Sequence, residues 1–164
     1  MTRKAASYHS VEEVKKKMAR YCAYRDRSYF ETEQKLKSYG LIPAAEDEIM
    51  AFLMQENFID DERFARMYVR GKFYNKKWGK QKILQGLKQH RITETYINRA
   101  MQEIDEADYR RTMENLIRNK TAQLKESDPW ILRKKLSAYM HAKGYTYEEF
   151  KEIIDDVIRK TRSV

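Results

Sequence analysis

Signals for the start of a helix recur along this chain, and they constrain its fold more than any other feature. Ser10 and Ser28 are each followed by Glu three residues later, as in a capping box, where the two side chains satisfy free backbone N–H groups. Three further starts are indicated by Asp60, by Asp128 before Pro129, and by Thr146 with Glu149. Apolar residues between these signals follow helical spacing, and only 5 Gly and 2 Pro remain for β-turns. We therefore predict nine helices.

These helices fall into three groups with an internal repeat. A shift of 51 residues sets Leu36 on Leu87, and a shift of 104 sets Gly40 on Gly144. A three-helix unit of about 50 residues buries too little surface to be stable alone, so the units should stack. The predicted fold is an all-α, elongated and curved array of three tandem three-helix repeats. The predicted division is a short tail at residues 1–10 and repeats at 11–59, 60–105 and 106–164.

The middle of the chain is strongly basic. Residues 63–91 contain ten Lys and Arg, five aromatic residues and no Asp or Glu. The whole chain has a net charge of +9, so this segment, at +10, leaves the remainder at −1. A concentrated positive field attracts polyanions, which favours nucleic acid, or a protein assembly that holds it, as the partner.

A solvated helix surface is the alternative interpretation of such a segment. Solvated faces usually mix charges of both signs, and the missing carboxylates count against that interpretation. At 100° per residue, Arg63, Arg66, Arg70 and Lys77 fall in one sector of the fourth helix. The candidate partner-binding and nucleic-acid-binding residues are Arg25, Arg27, Arg63, Arg66, Arg70, Lys72, Lys76, Lys77, Lys80, Lys82 and Lys88.

Other classes of site and location have little support in the sequence. Cys22 is the only cysteine, and the three His are far apart, so we expect no disulfide, metal site, cofactor or catalytic residue. Asp60 and Asp61 are better explained as a helix cap than as metal ligands. No apolar run is long enough for a membrane span, and the first ten residues lack the apolar region of a signal peptide. We expect a cytoplasmic monomer.

Several motifs resemble one protein family. The matching stretches run over residues 25–36 (RDRSxxExxxKL), 57–69 (NFIDDERFAxxYV) and 79–87 (GxxxIxxxL), with further matches at 134–136 (KKL) and 143–147 (KGYTY). Together they resemble the RecX family of recombinase regulators, over residues 15 to 158. The stretch DDERFA at 60–65 is the most specific of these matches.

The resemblance implies a small bacterial protein of three three-helix repeats that is not an enzyme. It implies binding to the RecA recombinase filament on single-stranded DNA, in the helical groove, with depression of its ATPase, strand-exchange and coprotease activities. Four positions depart from the usual family pattern: Thr32 for Leu, Lys80 for Pro, Gly86 for an acidic or amide residue, and Arg91 for Gly. Gly86 should weaken the fifth helix, and Arg91 puts the usual left-handed helix stop in doubt.

A second function remains open at this point. The same basic surface could bind DNA directly and without sequence preference, with Tyr74 or Trp78 stacking on bases. For Trp78, packing between helices is the competing and favoured interpretation.

Overall fold

The computed structural model describes residues 10–163, and within them the fold is all-α, as predicted. The helices are α1 Val11–Tyr24, α2 Tyr29–Lys37, α3 Pro43–Gln55, α4 Asp61–Arg70, α5 Lys80–Gln89, α6 Glu94–Met101, α7 Glu106–Leu124, α8 Pro129–Lys143 and α9 Tyr147–Arg162. Residues 1–9 of the predicted tail lie outside the described range. Within residues 10–163, no helix is long and apolar enough to cross a membrane.

Most of the predicted caps are present. The Ser10 and Ser28 hydroxyls each accept a hydrogen bond from the backbone N–H three residues later, at 3.1 Å in both cases. The Glu31 half of the second capping box is wrong, because its carboxylate accepts hydrogen bonds from Arg25 and Arg27. Asp60 and Asp128 cap α4 and α8 through their carboxylates. Thr146 is the N-cap residue of α9, as predicted, but the expected capping box is wrong because the Thr146 side chain makes no cap hydrogen bond. The Glu149 carboxylate instead accepts a hydrogen bond from the Tyr109 hydroxyl, at 2.6 Å.

The end of α4 differs from the predicted regular helix. After Arg70 the chain continues as a π-helical turn, Gly71–Asn75, and Lys77 then adopts the left-handed conformation with φ 60°. A wider turn followed by positive φ changes the angular progression of the side chains. Lys77 therefore does not continue the helical stripe of Arg63, Arg66 and Arg70, and the prediction that the four share one helix sector is wrong.

The helices pack in three consecutive groups. Helices α1–α3 contact one another, as do α4–α6 and α7–α9. The buried side chains nevertheless form two cores. The first group has its own core, which includes Met18, Leu36 and Ile49. The second and third groups share a single core that runs from Phe64 to Ile158. The boundaries at residues 59/60 and 105/106 stay a prediction.

A close backbone contact joins the second and third groups. The Gly79 N–H donates to the Lys143 carbonyl at 2.7 Å, and the Gln81 N–H donates to the Gly144 carbonyl at 3.1 Å. A Cβ atom on Gly79 would lie 2.3 Å from the Gly144 carbonyl carbon. Gly144 itself ends α8 with φ 97°, which favours glycine. Both glycines are therefore required by the packing of α5 on the end of α8.

Two of the positions that depart from the usual family pattern, Gly86 and Arg91, have structural explanations. Gly86 is buried, and a Cβ atom there would lie 1.9 Å from the Tyr68 hydroxyl oxygen, so the glycine makes room for this ring. Arg91 adopts φ 56°, so the left-handed stop after α5 is present without glycine. Its guanidinium lies 4.3 Å from the Phe30 ring centroid, which adds a contact to the first group.

We expect Gly79→Ala to destabilise the protein by about 1–3 kcal/mol, because the added methyl group collides with backbone atoms that cannot move independently. Urea unfolding followed by circular dichroism measures the change. Gly71→Ala is the matched control, since nothing lies within 4 Å of its Cβ position. That control should be neutral or stabilising by up to about 1 kcal/mol. Equal stability of the two variants would contradict the proposed role of the Gly79 contact.

Candidate partner and nucleic-acid interface

Arg63 holds neighbouring segments together. Its Nε donates to the Asp26 carboxylate at 2.8 Å, and its terminal nitrogens donate to the side-chain and backbone oxygens of Asn57 at 3.2 and 3.1 Å. Asp26 lies between α1 and α2, whereas Asn57 lies between α3 and α4. This predicted binding residue therefore connects α4 to two loops of the first group.

Arg66 and Arg70 lie on the exposed side of α4, where carboxylates neutralise them. Arg66 pairs with Glu62 at 2.9 Å, and Glu62 also lies 3.4 Å from Arg99 of α6. Arg70 lies 3.8 Å from Glu103, just after α6. Exposed ion pairs contribute only about 0–1 kcal/mol, so a partner could displace these carboxylates at small cost.

Arg25 and Arg27 both bind the carboxylate of Glu31. Arg27 does so at 3.1 Å, and its guanidinium also lies 3.8 Å from the Tyr21 ring centroid. Burial of Glu31 acts to raise its pKa, but the hydrogen bonds from Arg25 and Arg27 outweigh this and hold the pKa below its usual value. Arg27 is largely enclosed by these contacts, while Arg25 remains exposed.

Lys72 and Lys82 meet over one aromatic ring. Their ammonium groups lie 4.6 and 4.3 Å from the Trp78 ring centroid, and Lys72 also lies 5.3 Å from that of Tyr68. Trp78 is partly buried and packs against the shared core, which supports the core-packing interpretation. The two cations lie over the ring and would compete with a base for it, which counts against Trp78 as a stacking residue.

The remaining predicted residues differ in their surroundings. Lys80 pairs with Glu106 at 2.5 Å, and Lys77 donates to the Tyr74 backbone carbonyl at 2.7 Å. Lys76 and Lys88 are exposed, and within residues 10–163 neither has a carboxylate partner. The absence of acids from residues 63–91 therefore does not leave all of its cations unpaired, because other segments supply the carboxylates.

A cleft between the first and second groups brings two of the predicted cations together. Its volume is about 430 Å³, and it is lined by Arg25, Asp26, Phe64, Met67, Tyr68, Lys72 and His90. Met67, which is 47% exposed, is not among the residues predicted from the sequence. It lies four residues after Arg63 and three before Arg70, so helical spacing could have placed it beside these arginines.

The joint beside this cleft is polar. The Ser28 hydroxyl oxygen lies 2.8 Å from His90 Nδ1, and the Tyr29 N–H donates to the Asp61 carboxylate at 2.7 Å. Although Ser, His and Asp meet here, Ser28 is fully buried and its oxygen already accepts the Glu31 N–H. The arrangement therefore connects α2 to α4 and α5 and does not expose a nucleophile.

The titratable groups of this joint have shifted pKa values. Burial lowers the pKa of His90 below its usual 6.5 and outweighs the opposing charge of Glu31. Burial also raises the pKa of Asp61, and the hydrogen bond from Tyr29 only partly offsets it. Both shifts have the same cause, which is that burial disfavours the charged form of each group.

The family model for the second three-helix domain of RecX matches residues 60–101. The regulatory protein RecX of Chlorobium limicola is 28% identical over 148 residues, which cover 89% of this chain and 90% of that protein. The regulatory protein RecX of Vibrio campbellii is 30% identical over 125 residues, which cover 76% of this chain and 79% of that protein. Longer relatives also match, and the chain spans 53% of the one from Clostridium acetobutylicum.

Solved structures show the same fold. The crystal structure of RecX from Lactobacillus salivarius matches with a TM-score of 0.77 and 20% identity. The match covers 94% of this chain and 97% of that one. At this identity the likeness concerns the fold alone.

We expect His90→Gln to reduce the loss of stability on acidification. Because the folded-state pKa is lowered, the unfolded chain takes up a proton more readily as the pH falls below 6.5. The stability due to neutral His90 is therefore complete above that pH and is lost as the pH falls toward the folded-state pKa. Urea unfolding at about pH 7.5 and about pH 5.5 measures this difference. The exposed His141→Gln is the control, and an unchanged pH dependence in His90→Gln would refute the assignment.

A second expectation concerns Arg63. Arg63→Ala should lower the free energy of unfolding by about 1–2 kcal/mol, since it removes hydrogen bonds to Asp26 and to the chain at Asn57. Arg66→Ala, on the same helix but paired only at the surface, should cost about 0.5 kcal/mol or less. If chemical denaturation ranks the two variants in the opposite order, Arg63 does not hold this region together.

Proposed function

The chain belongs to the RecX family, and we propose that it binds the RecA recombinase filament on single-stranded DNA and depresses its activity. The proposed site of binding is the helical groove of the filament, and the affected activities are ATP hydrolysis, strand exchange and the coprotease function. We also propose that the protein acts in the cytoplasm as a monomer and that it catalyses no reaction itself. The relatives' description as regulatory proteins supports the regulatory part.

The observation that carries the proposal furthest is a set of cations without carboxylate partners near α4 and α5. Lys72, Lys76, Lys82 and Lys88 belong to it, and no carboxylate in the described chain pairs with any of them. Such cations are available for phosphates or for carboxylates of a protein partner. Arg25, which is paired with Glu31 and so does not belong to this set, lines the same cleft as Lys72 on the side of the first group.

The tandem arrangement suits a partner that is itself repetitive. Three helix groups in series offer a long surface, which can contact neighbouring subunits of a filament and the strand between them. A bound chain that connects adjacent subunits would resist their exchange or the movements that accompany nucleotide turnover. Inhibition then needs only binding, with no chemistry by the regulator.

Direct DNA binding without sequence preference is the second candidate. The same unpaired lysines favour it, since each phosphate neutralised releases counterions. Of the two aromatic side chains expected to stack on bases, Trp78 is partly buried and has Lys72 and Lys82 over its ring. Tyr74 is 38% exposed, with its hydroxyl donating to Asp108 at 3.1 Å, and stacking on its ring stays a prediction.

The test is DNA-dependent ATP hydrolysis by the recombinase of the same organism, with this protein added to preformed filaments at substoichiometric levels. We expect inhibition by the wild-type chain and at least about tenfold weaker inhibition by Lys76→Glu with Lys88→Glu, because like charge repels phosphates. Lys16→Glu with Arg20→Glu, which makes the same charge change at exposed positions of α1, should inhibit as wild type.

Two outcomes would contradict the proposal. No inhibition by the wild-type chain even in excess, together with salt-sensitive binding to bare DNA, would favour the second candidate. Equal loss of inhibition in both double variants would show that net charge matters and that the surface near α4 and α5 does not.

A further inference from the structure

Two exposed aromatic side chains lie outside the basic middle of the chain. Trp130, at the start of α8, is 72% exposed, and Tyr147, at the start of α9, is 43% exposed. Both line a cleft of about 240 Å³ together with Arg133, Lys134 and Ser137. We call this set the aromatic cleft.

The fold does not need Trp130 as a core residue. Leu132 and Leu136 bury the apolar side of α8, whereas Trp130 points into solvent. The Asp128 carboxylate accepts hydrogen bonds from the N–H groups of Trp130 and Ile131, at 2.8 and 3.1 Å. The backbone that carries the indole is therefore held in place. The indole also shares a cleft with Tyr147, and exposed apolar side chains that are grouped in this way are typical of interaction sites.

Tyr147 is also held in position. Its ring packs edge-on against that of Phe150, with centroids 5.7 Å apart and an angle of 86° between the planes. Phe150 is fully buried in the shared core. One wall of the cleft is thus anchored to the core, while the Trp130 wall is anchored through the capped start of α8.

The charge of the cleft is positive. Arg133 pairs with Asp155 at 2.5 Å, and Lys134 is exposed, with no carboxylate partner within residues 10–163. Glu148, which follows Tyr147, pairs with Lys151 at 2.6 Å. Lys134 therefore remains available for an anionic group beside the two rings.

We propose that the aromatic cleft binds one base of single-stranded DNA, with the base stacked on Trp130 or Tyr147 and the adjoining phosphate near Lys134. Aromatic rings combined with cations are the recognition chemistry for single strands, since the bases of a duplex have no free faces. At about 240 Å³ the cleft is smaller than most small-molecule sites, which suits a single ring system. The choice of DNA over RNA rests on the proposed function. The inference that the two rings and Lys134 bind a single strand does not depend on that function.

The first experiment needs no recombinase. The chain has 2 Trp, so Trp78→Phe leaves Trp130 as the single fluorophore. Titration with oligo-deoxythymidine should quench its emission, because a stacked base contacts the indole directly. An unchanged Trp130 emission while the DNA binds would overturn the proposal, and so would stronger binding of oligouridine RNA.

Affinities are measured on the chain that keeps both tryptophans. Trp130→Ala should raise the dissociation constant for oligo-deoxythymidine about fivefold or more, while Trp130→Phe, which keeps a ring, should change it less. Tyr24→Ala is the matched control, since Tyr24 is an exposed aromatic of α1, and it should bind as wild type. Loss of one phosphate contact in Lys134→Ala should reduce the log–log salt slope by about 0.7.

The same variants separate this proposal from the proposed function. A Trp130→Ala chain that binds DNA normally but no longer inhibits ATP hydrolysis would identify the cleft as a protein contact and overturn the DNA assignment. If the wild-type chain fails to inhibit the recombinase while Trp130 is quenched by single strands, the proposed function fails and the aromatic cleft stands.

Discussion

The backbone contact between Gly79 and Gly144 determines how the second and third helix groups form one packed unit. Without side chains at these positions, the start of α5 reaches the carbonyl groups at the end of α8. Tyr109 completes the contact, because its hydroxyl accepts the Lys80 N–H at 3.0 Å and donates to Glu149. Burial and Glu149 together raise the pKa of the Tyr109 phenol far above its usual value, so this hydrogen-bond donor stays protonated.

The first helix group is attached to the second by polar contacts. Its core is separate, and its joint to α4 and α5 consists of hydrogen bonds and ion pairs such as those of Asp26 with Arg63 and Tyr29 with Asp61. Polar contacts of this kind depend on geometry and on protonation more steeply than apolar packing does. The cleft that contains Arg25 and Lys72 lies at this joint, so the shape of the candidate interface depends on how the first group is held.

The sequence was informative about helices because capping is local. Ser10, Ser28 and Asp60 each act within three residues, and the helices begin where these residues predict. It was less informative wherever a distant residue competes. Glu149 accepts a hydrogen bond from Tyr109, which lies 40 positions away in the sequence. Gly86 leaves the space that the ring of Tyr68 occupies. Neither contact leaves a periodic signal, so the predicted capping box at Thr146 and the predicted weakness of α5 rested on local rules alone.

The same distinction limits what charge along a sequence indicates about a binding surface. Carboxylates from other parts of the chain can neutralise a segment that has no acids of its own. In the basic segment 63–91, much of the charge is neutralised by Glu62, Glu103 and Glu106. The cations without a carboxylate partner in the described chain are fewer than the predicted binding residues. Each of them still offers its full charge to a partner. A surface that contains both kinds can bind in two ways. Free lysines attract a polyanion at long range, and the exposed arginine pairs can then exchange an internal carboxylate for a phosphate at close contact.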